Sequence, residues 1–508
     1  MAVDRAGLEA AADQVLASRD TVRLVTRSED GPHWSTTELL RVERGALRLA
    51  DELRAAPVRD VDADLVETAL SGWTLSGEQQ AMVRALAAAD GLAVVIGPAG
   101  SGKTAALTAA VNIWSAQSRP VNGAAVAAVT ARRLEHATGV PSMSLTRLLN
   151  SARRTDPANR RPAGLPPGGV VVVDEASMAD TRTLAALLAH TRAAGGTLVL
   201  VGDPAQLPEI GAGGLFTALA RHPDTITLTD NRRQTEAWER RALADLRAGD
   251  PDAAVAAYAG HGRVQVAPAD QLADRIVEDY LRLLDQPGPD AGDGDGLEPV
   301  VMLAVRRTDV TDLNDTTRSR LLETDQLGPD AVTAGEGEQS REYRAGDRVL
   351  VTANDHRLGL LNGTRGTVTA VDPRRRTLTL AGENDQQVTV TADWAARRLD
   401  HGYAMTCHKA QGATVQTALL YGAGALTREA GYVALSRGRA ANHLYVPDDS
   451  DDAVSSGGGR YLDRLAARLA VRRTQTLATR QLPRARPGGW QPSAVTTAAY
   501  RRTEGMSR

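Results

Sequence analysis

Gly97-Pro98-Ala99-Gly100-Ser101-Gly102-Lys103-Thr104, preceded by the apolar run Leu92–Ile96 and followed by the helix-forming stretch Thr104–Trp114, decides the fold. The stretch fits G-x-x-x-x-G-K-[ST], and a strand before it with a helix after it is the context the pattern requires. The glycines let backbone N–H groups converge on a cluster of anionic oxygens. The helix N-terminus adds partial positive charge. In that geometry Lys103 reaches the β- and γ-phosphates of a nucleotide, and Thr104 ligates Mg2+.

Working outward, the flanking pattern is strand, turn and helix in repetition. Strands are expected at Leu92–Ile96, 124–130, Val170–Val173, 197–201 and 225–228. Such alternation predicts a parallel α/β sheet buried on both faces. A second series, 300–305, 419–421 and 442–446, reads as a second α/β unit. Short β-type runs at 349–352, 365–371, 376–380 and 387–391 form a small β-barrel-like insertion within it, with turns at Asn362-Gly363 and Asp372-Pro373. The expected organisation is a mixed segment over 1–72, a first unit over 73–229, a second over 230–318 and 393–447, an insertion over 319–392, and a basic tail over 448–508, disordered from Pro483. Residues 286–299 read as a solvated Gly/Pro/Asp loop whose acid spacing fails the calcium-loop template.

Composition narrows the classes. The 508 residues carry a net charge of −3 and one cysteine, Cys407. No internal disulfide is possible, and a cytoplasmic, reducing location is expected. No apolar run approaches the roughly 18 residues of a membrane span. Only two of the 59 basic residues are lysine, Lys103 and Lys409. A coding bias towards arginine explains the rest. The two survivors mark places where a compact ammonium serves and a planar guanidinium does not.

Two further strands end in polar groups. Val170–Val173 runs into Asp174-Glu175, where Asp174 would hold Mg2+ and Glu175 would orient and deprotonate an attacking water. Leu200-Val201-Gly202-Asp203-Pro204-Ala205-Gln206 presents an amide able to hydrogen-bond both a γ-phosphate and a water. The competing reading of Gln206 is a loop amide paired with backbone.

Together these motifs resemble the RecD-like group of superfamily 1 DNA helicases, and within it the helicase portion of conjugative relaxase-helicases. The match covers roughly residues 75 to 446 with the motifs in family order. Leu75-Ser76-Gly77-Glu78-Gln79 resembles the adenine-reading motif, with Gln79 as reader. Asn231-Arg232-Arg233-Gln234 resembles the motif that opens the second RecA-like domain. By that resemblance Arg233 touches the γ-phosphate, and Arg232 stands where relatives often place an aromatic that stacks on adenine. The stretch from Tyr403 through Thr406, His408, Lys409, Gln411 and Gly412 to Thr414 resembles motif V. Tyr432-Val433-Ala434-Leu435-Ser436-Arg437-Gly438-Arg439 resembles motif VI, with Arg437 as arginine finger.

The resemblance implies two RecA-like domains with parallel sheets and an SH3-like β-barrel insertion. It implies ATP and Mg2+ as cofactors, with ATP held by Gln79, Gly97, Pro98, Ala99, Gly100, Ser101, Gly102, Lys103, Thr104, Ala105, Arg232 and Gly412. It implies catalysis by Lys103, Glu175, Gln206, Arg233 and Arg437, and single-stranded and duplex DNA as partners. Movement 5′ to 3′, a monomer, and work alongside conjugation or relaxosome proteins follow from the same source. Trp238 and Tyr403 are candidate base-stacking residues, with helix packing the competing reading for Trp238. The nine histidines are scattered, with no metal triad, so nicking is not expected. The stretch 150–169 is short and rich in Arg and Pro, so no long β-pin is expected there. Two other classes remain open: a P-loop ATPase that remodels protein, and an inactive DNA- or partner-binding scaffold.

Overall fold

A computed structural model describes residues 5–25, 32–57, 59–152, 165, 167–285, 297–337, 340–382, 387–422, 425–448 and 460–482. Among them, six parallel strands form a first sheet in the order Ser142–Ser144, Val121–Ala125, Val170–Asp174, Thr197–Gly202, Leu92–Ile96, Ile226–Thr227. Successive residues of the central strands feed opposite cores, because side chains alternate across a strand. Leu92, Val94, Val171, Val173, Leu198 and Leu200 enter one core. Ala93, Val95, Val170, Val172, Val199 and Val201 enter the other.

The second sheet is also parallel, in the order Ala404–Thr406, Val300–Ala304, Val415–Tyr421, Gly438–Asp448, Val264–Pro268. Val301 and Leu303 face one core, and Val300, Met302 and Ala304 the other. A five-stranded antiparallel sheet, Gln387–Thr391, Thr377–Gly382, Arg365–Asp372, Arg348–Val351, Leu399–His401, closes the set of larger sheets. No helix among the described residues is long and apolar enough to cross a membrane.

Several expected boundaries move. The second strand of the first sheet spans Val121–Ala125, not 124–130, because the chain turns at Ala127 into the helix Ala128–Thr138. The antiparallel sheet runs past residue 392, because Leu399–His401 pairs with Arg348–Val351. The helix Arg307–Glu323 crosses the expected boundary at 318. Within the mixed segment 1–72, Ala46, Ala50 and Leu53 of the helix Thr37–Arg54 lie in the core of the first sheet. The disorder expected from Pro483, most of the 286–299 loop, and residues 153–164 of the stretch expected to lack a pin lie outside the described residues.

Residues 460–482 of the tail pack against both sheets. Leu465, Ala466 and Leu469 of the helix Arg460–Ala470 pack into the second sheet's core. The chain then crosses to the first sheet, where Leu477 enters its core. Gln475 donates to the carbonyls of Glu209 and Gly211, both at 2.9 Å. Glu43, 1% exposed, accepts from the N–H groups of Ala478 (2.9 Å) and Thr479 (2.7 Å). Residues 471–482 are thus a strap across both sheets.

Replacing Glu43 by Ala leaves the buried amide of Ala478 and the half-buried amide of Thr479 unpaired and should cost about 1–3 kcal/mol. Urea denaturation measures the loss, and limited trypsin digestion should cut faster at Arg472, Arg473 or Arg480.

Candidate nucleotide site at the seam of the two sheets

The phosphate loop begins where Leu92–Ile96 ends and is tied to its neighbouring strand by Gly97 N–H to Gly202 O (3.2 Å). Gly100 and Gly102 have φ of +79° and +71°, in the left-handed region that a side chain disfavours. Space forbids one as well. A Cβ on Gly100 would stand 2.4 Å from Arg233 Cβ, and one on Gly102 would stand 2.2 Å from Gln79 Nε2. Gly100 therefore serves packing across the seam, and Gly102 packing within the first lobe, as well as the turn.

Gln79 is 4% exposed and fully engaged. Its Oε1 accepts from Ser76 N–H (2.9 Å) in a helix capping box, and its Nε2 donates to Ser101 O (3.0 Å). In this structure the side chain braces the phosphate loop. Lys103 Nζ folds back onto the carbonyls of Gly97 (2.8 Å) and Pro98 (3.0 Å). Burial lowers the Lys103 pKa, against the opposing pull of Glu175, Asp203 and Asp174. Thr104 is exposed at the helix start, beside Ala105.

Asp174 ends its strand, and its carboxylate accepts from Glu175 N–H at 2.9 Å. Burial and the neighbouring Glu175 push its pKa up to about 6. Glu175 holds φ +50°, a left-handed conformation uncommon for a non-glycine residue, which the local turn imposes. Its Oε2 accepts from Gln411 Nε2 at 3.1 Å, a bond between the two sheets. Gln206, 3% exposed, and Gln411, 5% exposed, each keep a buried Oε1 without a protein partner.

From the second sheet's side, Asn231 Oδ1 accepts from Arg233 N–H (3.0 Å), and Arg232 N–H donates to Gly100 O (2.9 Å). The Arg232 side chain is exposed and paired with Asp230 at 3.7 Å. Arg233 donates to Ser436 O (2.8 Å), and burial lowers its pKa. Arg437 is 1% exposed and donates to the carbonyls of Val433 (2.8 Å), Ala410 (3.4 Å) and Ala413 (3.2 Å). Burial first, then nearby Arg233, pull its pKa down to about 9. A Cβ built on Gly412 would lie 4.0 Å from Glu175 Oε1.

The structure thus gathers Lys103, Asp174, Glu175, Arg233, Gln411 and Arg437 at one seam. Tyr403 is not available for stacking: it is 1% exposed and donates to Asp347 at 2.6 Å. Trp238 stacks on His261 (centroids 4.0 Å apart) and meets Tyr258 edge-on, so packing explains it. Gln411 was not among the expected site residues. It lies inside the motif V stretch, but only the pairing of distant segments brings it to Glu175.

The Asp174 carboxyl carries a pH signature. Its folded pKa lies above the ordinary 3.8, so its anion destabilises the fold. That penalty is absent well below pH 3.8, grows as the pH rises through about 6, and levels off above. Asp174→Asn should therefore gain stability relative to the parent across that window, by about 3 kcal/mol for two pKa units. Thermal unfolding of both proteins at pH 4.5 and 7.5 checks the sign.

Residues 74–269 match the AAA domain family model. The chain is 31% identical over 436 residues to the conjugal transfer protein TraA of Agrobacterium fabrum, covering 84% of this chain and 38% of that protein. It therefore spans about two fifths of the length of that relative. The RecD subunit of the RecBCD enzyme from Mycolicibacterium smegmatis is 30% identical, covering 71% of this chain and 69% of its own. A crystal structure of Pif1 helicase from Bacteroides in complex with ADP-AlF3 and ssDNA superposes with a TM-score of 0.47 at 19% identity, over 73% of this chain and 92% of that one. With phosphate loop, paired acids and facing arginines in family order, and a RecD relative matched over most of both chains, this chain belongs to the RecD-like superfamily 1 helicases.

Proposed function

We propose that the chain is an ATP-driven DNA translocase and helicase that moves 5′ to 3′ on a single strand. One observation carries the reading: Glu175 of the first sheet and Gln411 of the second are hydrogen-bonded beside Lys103, Arg233 and Arg437. A nucleotide there would touch both lobes at once. Lys103 and the backbone N–H groups of residues 99–105 bind the phosphates. Glu175 takes the proton of the attacking water. Gln206 and Gln411 orient that water by accepting its protons at their unpaired amide oxygens, and Arg233 and Arg437 stabilise charge on the transferring phosphoryl group. Asp174 and Thr104 suit Mg2+, since both offer hard oxygens and the desolvated Asp174 carboxylate gains from a nearby dication. When bound, Mg2+ would neutralise charge on the β- and γ-phosphates.

The lobes proposed are RecA-like units over 73–229, with the helix Thr37–Arg54 packed on it, and over 230–323 plus 402–447. The antiparallel sheet within 324–401 is proposed to be an SH3-like insertion. Two cavities of about 410 and 430 Å3 share Met405 and Lys409. One adds Arg307 and Arg341, and the other Arg133 and Arg365. The linings also hold Asp315, Asp400 and Glu298, with Asp400 paired to Arg341 and Glu298 to Arg365, so Lys409, which lines both cavities, is the cation proposed to meet a polynucleotide backbone. Action in the cytoplasm as a monomer, in conjugative transfer and without nicking, completes the proposal.

Single-stranded DNA should stimulate ATP hydrolysis, and unresponsive turnover would overturn the DNA reading. Lys103→Ala should abolish turnover. Glu175→Gln should keep nucleotide binding and lose about 10²–10⁴ in rate, and Arg437→Ala about 10³–10⁵. Strand displacement on duplexes with a 5′ or a 3′ overhang tests polarity.

A further inference from the structure

The segment after the strand Thr197–Gly202 belongs covalently to the first lobe, yet the second lobe grips it on both sides of Gln206. Asp203 is fully buried. It is ion-paired with Arg247 (3.1 Å), whose helix Ala237–Ala248 packs into the second sheet's core. Tyr432, 2% exposed on the helix Arg428–Leu435, donates to the other Asp203 oxygen at 3.1 Å. Leu207 is buried in the second sheet's core. The Tyr432 hydroxyl also accepts from Ala99 N–H at 3.1 Å, so one oxygen ties the phosphate loop to Asp203.

We infer that Tyr432 and Arg247 are positioning residues that act through Asp203, holding the Gln206 amide and the Ala99 N–H in register with the arginines of the second lobe. This rests on the ATPase reading above. Neither side chain needs to touch nucleotide. Together they fix where the first lobe's γ-phosphate-facing groups stand relative to Arg233 and Arg437, which share their lobe. Loss of the hydroxyl leaves the ring packed among apolar neighbours but frees the loop amide. Phosphate binding by the remaining loop amides and Lys103 survives, whereas the alignment needed for transfer does not.

The expected signature of Tyr432→Phe is a kcat about tenfold lower, the worth of one hydrogen bond to a charged group, with KM for ATP within about twofold of the parent. Arg247→Ala should lose as much or more, and Arg247→Lys should restore part of it. A double-mutant cycle between Tyr432→Phe and Asp203→Asn should be non-additive. An independent readout needs no activity: hydrogen exchange of the full chain should quicken about tenfold or more at Ala99 in Tyr432→Phe. Unchanged exchange at Ala99, or kcat within twofold of the parent in both Tyr432→Phe and Arg247→Ala, overturns the inference. A parent chain that hydrolyses no ATP defeats the nucleotide reading instead, and the exchange comparison still decides the tie.

Discussion

Three cations and three carboxylates share one buried seam, and everything else in the molecule serves to keep them there. Lys103, Arg233 and Arg437 face Asp174, Glu175 and Asp203 at the meeting of two parallel sheets. Removing charges from water costs several kcal/mol each unless partners compensate. The partners of Asp203 and Glu175 cross the seam, Arg247 and Tyr432 on the first and Gln411 on the second, while Arg437 is held by backbone carbonyls of its own lobe. The compensation is incomplete. Lowered pKa values at the cations and a raised one at Asp174 describe a site strained by its own desolvation. An anion with bound dication would relieve that strain from both sides.

The two sheets give this seam its rigidity. Each central strand alternates between two apolar cores, so its polar last residue is held at the sheet's end with little freedom. Asp174 ends one such strand and Asp203 directly follows another. The second sheet cannot slide without dragging Leu207 from its core or parting Arg247 from a fully buried carboxylate.

What could be read in advance followed from local rules. The phosphate loop, its strand and its helix sit where spacing placed them, and the paired acids end the strand expected of them. Two lysines among 59 basic residues flagged the phosphate loop and the cavity junction. The errors came where long-range pairing overrode local pattern. Leu399–His401 looks like the approach to the second unit but completes the antiparallel sheet, because Arg348–Val351 offers it an open edge. Tyr403 read as an exposed stacking ring, yet its hydroxyl finds a buried Asp347. Gln411 and Tyr432 carry no local signal of whom they meet, since their partners lie 236 and 229 residues away.

The Glu43 clamp has a consequence for biosynthesis. Its two amide partners arrive 435 and 436 residues later in the chain, and Val25 N–H donates to the Gln481 carbonyl beside them. A ribosome therefore releases almost the whole first lobe before its last piece exists. Until residue 479 leaves the exit tunnel, a carboxylate destined for the interior must stay wet, and the groove that Leu477 will fill stands open to passing chaperones.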